Sequence, residues 1–376
     1  ARTSSFAFKN QETDIRDIGA QLGVATVLEG SVRWSADSEL VRITAQLIDA
    51  NSGFHLWSEA YNRKFEDIFA VQGEIARSIV AKLQIQLTGV EAFSMTAPLT
   101  RDAEAYTLYL RGRALWKQRG LAPIEQSVEL FQAALARDPG FSRAYSNLAA
   151  AYVLIPSYSK EERDPFFELA SEAALTALTI DESLAEAHAV LARISDDRWA
   201  WSDAQTSFFF ATSLDPSEPT AHHWYSVHLS SVGRYRAALE EARLAAELDN
   251  KSTAIQVNLS VTLTAVGLNE EAEAALARAE ALGYETVPDN MMETKDSPVF
   301  LNSAVEGDLD TAFRIAGELA KQRTLPLHLI WSAKLNDFRQ DPRFGELMRT
   351  VGLTNYWRRY GWADVCGSDE GNAICG

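Results

Sequence analysis

Trp201–Tyr284 reads WSDAQTSFFFATSLDPSEPTAHHWYSVHLSSVGRYRAALEEARLAAELDNKSTAIQVNLSVTLTAVGLNEEAEAALARAEALGY, and its self-similarity decides the fold of most of the chain. Ala204, Ala238 and Ala272 follow one another at a fixed spacing of 34 residues. Ala211, Ala245 and Ala279 repeat it, as do Leu191, Tyr225 and Leu259. Gly233 and Gly267 recur between paired helices, and Pro216, Asn250 and Tyr284 mark equivalent ends. Small residues at fixed positions let two antiparallel helices approach closely, and the apolar residues between them are buried only when units stack.

The period weakens outward. Upstream, Tyr145, Leu148, Ala149 and Tyr152 match a first helix, with Ala170, Ala174 and Ala177 on the second and a longer link over Pro156–Pro165. Before that, Leu108, Gly112 and Leu115 pair with Phe131, Ala134 and Pro139. Ala312, Ala316 and Leu319 mark a degenerate last unit. About six units therefore occupy 101–324, and 325–376 fits a terminal cap over an otherwise exposed apolar face.

Residues 1–90 read differently. Thr3–Phe8 is a β-like run; Thr13 or Asp14 caps a helix through Ile15, Ile18 and Leu22 that Gly23 stops. Val24–Trp34 is rich in β-formers, and Ala36–Glu39 is a polar turn. Val41, Ile43, Ala45 and Leu47 then alternate with polar residues as a half-buried strand does. Asn51-Ser52-Gly53 turns into a third strand, Phe54–Tyr61, and an amphipathic helix covers Glu66–Leu87. The order β-α-β-β-β-α makes a small α+β domain, joined near Thr88–Thr100 to an all-α superhelix. A layer this small needs helices on its sheet, so one upstream β-α unit is expected in addition.

The 376 residues allow two or three domains at about 150 each. Apolar residues at 47% and charged residues at 23% give an ordinary globular balance, which excludes disorder. A net charge of −17 repels nucleic-acid phosphates and anionic lipid. No apolar run approaches the ~18 residues of a membrane span. Residue 1 is Ala and no signal pattern follows it, so the start reads as trimmed. Cys366 and Cys375 are close enough to close a small loop, and a disulfide between them suits an oxidising, periplasmic compartment. The other reading is two thiols in a cytoplasmic protein.

Catalytic signatures are missing: there is no Walker loop, G-x-G-x-x-G, H-E-x-x-H or G-x-S-x-G, so no enzyme, cofactor or metal is expected here. His222, His223 and His228 invite a metal site, but the spacing of His223 and His228 does not place two imidazoles on one helical face. The mixed aromatic and basic run Tyr356–Trp362 reads as a packed cap held by cation–π contacts.

The stretches ARTSSFAF, IGAQLGVATVLEGSVRW, VRITAQLIDANSGFHLWSEAYNR and EDIFAVQGEIARSIV together resemble the TolB amino-terminal-like domain. The later period resembles tetratricopeptide (TPR) repeats, and DPRFGELMRTVGLTNYWRRYGWADVC resembles the tail that follows such arrays. These resemblances imply a bacterial signalling protein whose output domain, a class III adenylate cyclase or a winged-helix transcription regulator, lies upstream across a membrane helix. They imply a non-catalytic extracytoplasmic region that binds a protein or peptide, tethered through an upstream segment and open to homo-oligomer formation. A stand-alone periplasmic scaffold for envelope assembly is the rival. Carried over by register, the TPR groove comprises Tyr109, Arg113, Lys117, Arg143, Arg193, Asp196, His223, Val227, Val257 and Val261. It grades from basic and aromatic to apolar, which suits an extended peptide.

Overall fold

The computed structural model describes residues 8, 13–35, 40–64, 68–83, 99–159, 162–284, 297–369 and 372–375. Two compact units divide at Leu148 and Ala149. The expected Thr3–Phe8 strand, apart from Phe8, the Ala36–Glu39 turn and most of the Thr88–Thr100 connection lie outside the described residues.

The first unit opens with α1 (Ile15–Leu22). Asp14 accepts a hydrogen bond from the Arg16 N–H, and Gly23 ends the helix in the left-handed conformation at φ 66. Three antiparallel strands follow: β1 (Thr26–Ser35), β2 (Leu40–Asp49) and β3 (His55–Lys64), in the order β1-β2-β3. Alternation along β2 buries Val41, Ile43, Ala45 and Leu47. Val41 and Ile43 form a core with Tyr61 and with Val71 of α2 (Ile68–Leu83). Register places Val32 opposite Ile43 and Leu28 opposite Leu47, hence on that same face, yet Val32 is 68% and Leu28 51% exposed.

The unit continues with the hairpin α3 (Ala103–Gln118) and α4 (Leu121–Arg137). A Cβ on Gly112 would lie 2.7 Å from the Phe131 ring, so only glycine lets these helices close to this distance. Arg137 joins Asp102 and Glu104, fastening the start of α3 to the end of α4. Helix α5 (Ser142–Leu154) carries the chain across the division.

After α6 (Arg163–Ile180), three hairpins keep strict register in the second unit: α7 (Ala185–Asp197) with α8 (Trp201–Leu214), α9 (Pro219–Ser231) with α10 (Tyr235–Leu248), and α11 (Thr253–Ala265) with α12 (Asn269–Ala281). The repeating alanines are all buried, the physical reason for the 34-residue spacing. Antiparallel helix pairs repeating on this spacing, with small residues at the contacts, make a TPR-type array. Residues 199, 233 and 267 are the equivalent turn positions, and all are left-handed: Trp199 at φ 60, Gly233 at 81 and Gly267 at 82. Glycine meets this at no steric cost; tryptophan there costs about 1–2 kcal/mol.

A last hairpin, α13 (Ser297–Glu306) and α14 (Leu309–Lys321), leads into four short helices: α15 (Leu327–Ile330), α16 (Asn336–Gln340), α17 (Arg343–Thr350) and α18 (Leu353–Tyr360). Strands β4 (Cys366–Asp369) and β5 (Asn372–Cys375) close the chain, with Cys366 disulfide-bonded to Cys375. This lobe shares one core with α13 and α14, centred on Phe300, Phe338, Phe344 and Trp357. It also reaches back to the α7–α8 and α9–α10 turns. The Trp331 indole N–H donates to the Ser231 carbonyl at 3.1 Å, and that of Trp357 to the Val232 carbonyl at 2.9 Å. Trp201 donates to the Val351 carbonyl at 2.7 Å. Asp364 accepts from the Arg236 N–H at 2.7 Å while its own N–H donates to the Gly233 carbonyl at 2.9 Å. Each indole thus buries its apolar body and satisfies its single donor.

Candidate functional site

The sequence-derived groove residues fall in both units. In the first, Tyr109 is only 2% exposed and packs on Phe131 and Phe141, so its ring belongs to the hairpin core and corrects the expectation of a groove surface. Projecting a helical position from register identifies the side of the helix but not how deep a large ring sinks. The Arg113 guanidinium lies 5.7 Å from that ring, Lys117 is partly buried, and Arg143 is exposed near the start of α5.

In the second unit the remaining six divide by helix. Arg193 and Asp196 lie on α7, His223 and Val227 on α9, Val257 and Val261 on α11. The common spacing makes Arg193, Val227 and Val261 equivalent, and likewise His223 and Val257, so they recur as stripes along the first helices of successive hairpins. Val261 is 50% exposed, while Val227 and Val257 are half-buried. The Asn258 amide donates to Ser226 Oγ at 3.0 Å, tying α11 to α9 beside the valines. What this face offers is a set of apolar steps at the array's own spacing, with backbone donors and acceptors already spent within helices.

Asp196 departs from the groove expectation. It is buried and accepts from His228 Nδ1 at 2.7 Å and from the Arg193 guanidinium at 3.3 Å. His228 is fully buried among the rings of Trp201, Phe208, Tyr225 and Tyr356, and its Nε2 meets no hydrogen-bond partner. Gln205 bridges the Tyr225 and Tyr356 hydroxyls; the latter donates to Gln205 Oε1 at 2.6 Å. Burial pushes both tyrosines above their ordinary range. This cluster links two hairpins to α18, and sequence reasoning missed it because Gln205 and Tyr356 are far apart in the chain.

His222 does separate work. Its Nδ1 lies 2.6 Å from Glu241 Oε2 and its Nε2 3.0 Å from the Pro216 carbonyl, so both nitrogens face acceptors and the imidazolium fills both. Burial opposes the charge, but the Glu241 hydrogen bond and charge outweigh it, and the pKa is raised. Among the described residues no three His, Cys, Asp or Glu side chains are grouped to hold a metal ion, and no helix is long and apolar enough to cross a membrane.

No family model matches the chain. A Rhizobium meliloti (strain 1021) protein named "Putative adenylate cyclase 3" is 42% identical over 149 residues. That match covers 40% of this chain and 25% of the relative, so the matched stretch spans about a quarter of that protein's length. Similar solved structures include a thermophilic TPR protein of Thermus thermophilus, at 17% identity over 57% of this chain and 98% of that one, TM-score 0.39. PilF of Pseudomonas aeruginosa is 15% identical over 62% of this chain and 96% of its own, TM-score 0.36. YrrB, described as a TPR protein with an unusual peptide-binding site, is 18% identical over 50% of this chain and 89% of its own, TM-score 0.29.

Proposed function

We propose that this chain is the non-catalytic, partner-binding region of an adenylate cyclase-related bacterial signalling protein, working outside the cytoplasm. The observation that carries the binding role is the stepped apolar face of α9 and α11, with Val261 half exposed at the array's own spacing. A side chain every few residues of an extended segment can seat on successive steps, and the gain is apolar burial at about 25 cal/mol per Å². The cyclase connection is supported by the Rhizobium relative and remains a property of the longer protein. The extracytoplasmic setting is supported by the Cys366–Cys375 bond.

In this reading residues 1–90 form a TolB amino-terminal-like domain, 101–324 the array and 325–376 its terminal lobe. The exposed Leu28 and Val32 are where a further β-α unit would pack. The occupant of the α9–α11 face is a peptide or a segment of another protein.

Phage-displayed peptides selected on the whole chain test this. Peptides that bind should weaken at least about tenfold in the V227E/V261E double variant, a loss of about 1.4 kcal/mol, and stay unchanged in an F210S variant on α8. Equal binding to all three proteins, or cyclisation of ATP by the purified chain alone, removes the proposal.

A further inference from the structure

Leu175 of α6, Phe209 of α8 and Arg243 of α10 are equivalent under the 34-residue spacing, each on the exposed side of the second helix of its hairpin. Arg243 suits water and is ion-paired with Glu271 at 2.8 Å. The other two positions are bare hydrocarbon: Leu175 is 54% and Phe209 64% exposed. Phe210, Ile180 and Leu214 beside them are exposed as well. The two phenylalanines alone leave about 200 Å² in water, and apolar surface gathered in this way marks an interaction site. His188 joins the two helices into one surface. Its Nε2 lies 3.0 Å from the Glu182 carbonyl just after α6, and its ring meets Phe210 of α8 edge-on, with centroids 4.8 Å apart.

The polar side chains among these residues turn away from water. Thr176 and Thr179 on α6, and Thr206, Thr212 and Ser213 on α8, each donate to a carbonyl of their own helix at 2.7–3.1 Å. With backbone groups and hydroxyls both spent, this face offers nothing to the backbone of an extended chain. An extended peptide, such as the α9–α11 face seats, therefore gains little here. An occupant must satisfy its own backbone, as a helix does.

Charge then selects among helices. Glu168 and Glu172 precede Leu175 on the same side of α6, Asp203 precedes Phe210 by about two turns on α8, and Glu182 follows Ile180. All four are exposed, and none is ion-paired with a described residue. The arginines of this stretch sit elsewhere. Arg163, at the start of α6, is paired with Asp197 and Arg193 with Asp196, while Arg198 lies before α8, at the opposite end from Leu214. An acidic rim repels the same rim on a second copy and repels an anionic bilayer, whereas it attracts Lys and Arg. We propose that the outward face of α6 and α8 docks a cationic amphipathic helix of another protein, apolar on one side and flanked by Lys or Arg. This surface is separate from the α9–α11 face.

The whole chain is titrated with a fluorescein-labelled leucine–lysine helix of about 18 residues, long enough to hold its structure, and with its leucine–glutamate counterpart. The lysine helix should bind, and F209S/F210S, which leaves the net charge at −17, should weaken it at least about tenfold. E168Q/E172Q should weaken it severalfold, the glutamate helix should not bind, and V227E/V261E should bind as the parent does. Both phenylalanines are exposed, so F209S/F210S should melt with the parent; if it does not, F209S alone, at the more exposed position, repeats the test. Equal binding by the parent and the phenylalanine variant reduces the attraction to bulk charge and overturns the proposal. So does loss in V227E/V261E instead, which puts the helix on the α9–α11 face and leaves only that reading standing. Dimers of the chain, or its capture by phosphatidylcholine vesicles, abolished by F209S/F210S would make a second copy or a bilayer the occupant and overturn it too.

Discussion

The α9–α10 and α11–α12 hairpins share one template and differ in what rests on their turns. Gly233 and Gly267 have nearly the same φ. A Cβ on Gly233 would fall 2.6 Å from the Ala363 Cβ and 3.0 Å from the Trp331 ring, while one on Gly267 would meet nothing within 4 Å. The same residue thus answers one demand in the outer hairpin and two in the clamped one. Stacking of neighbours makes a hairpin; contact with a segment a hundred residues onward decides which hairpins are anchored.

Removing the clamp should have the largest effect. Trp357→Ala deletes a fully buried indole and its bond to Val232, and we expect a loss of about 3–5 kcal/mol in urea unfolding. Hydrogen exchange should quicken in α9 and α10 before α11 and α12; a uniform rise would contradict an anchored pair. Next, Gly233→Ala should cost about 2–4 kcal/mol, from left-handed strain plus overpacking, against about 1–2 for Gly267→Ala from strain alone. Equal melting points for those two variants would erase the distinction. Reducing Cys366–Cys375 should lower stability by about 2.5–3 kcal/mol on the chain-entropy estimate, read as a melting shift with and without reductant. Two titratable thiols in native, unreduced protein would oppose the disulfide.

The smallest effect concerns His222, whose folded pKa lies above its unfolded value. Its contribution is therefore complete below about pH 6.5 and is lost as pH rises through the folded pKa. Unfolding free energies measured from pH 5 to 9 should fall across that window in the parent and flatten in His222→Gln; parallel curves would deny the link.

The hairpins could be read from sequence because close helix contact demands Ala at Ala204, Ala238 and Ala272, and a left-handed turn favours Gly at Gly233 and Gly267. The β meander was equally plain from the alternation in Val41–Leu47. The lobe's grip on the turns was not legible: Trp331 and Trp357 spend their N–H groups on backbone carbonyls, which any residue type carries. Register alone puts Tyr109 and Asp196 in an open groove, because it does not distinguish a side chain on a surface from one folded beneath it. Asp196 finds His228 on the next hairpin, a pairing of long-range geometry that no local pattern announces.

The back-reaching tail also sets an order of events during synthesis. Trp201 emerges from the ribosome 150 residues before Val351, whose carbonyl it needs. At about 5–20 residues per second, that interval is about 7–30 s. The early hairpins stack first on one another and wait, unlatched, for a stretch of polypeptide made 150 residues later.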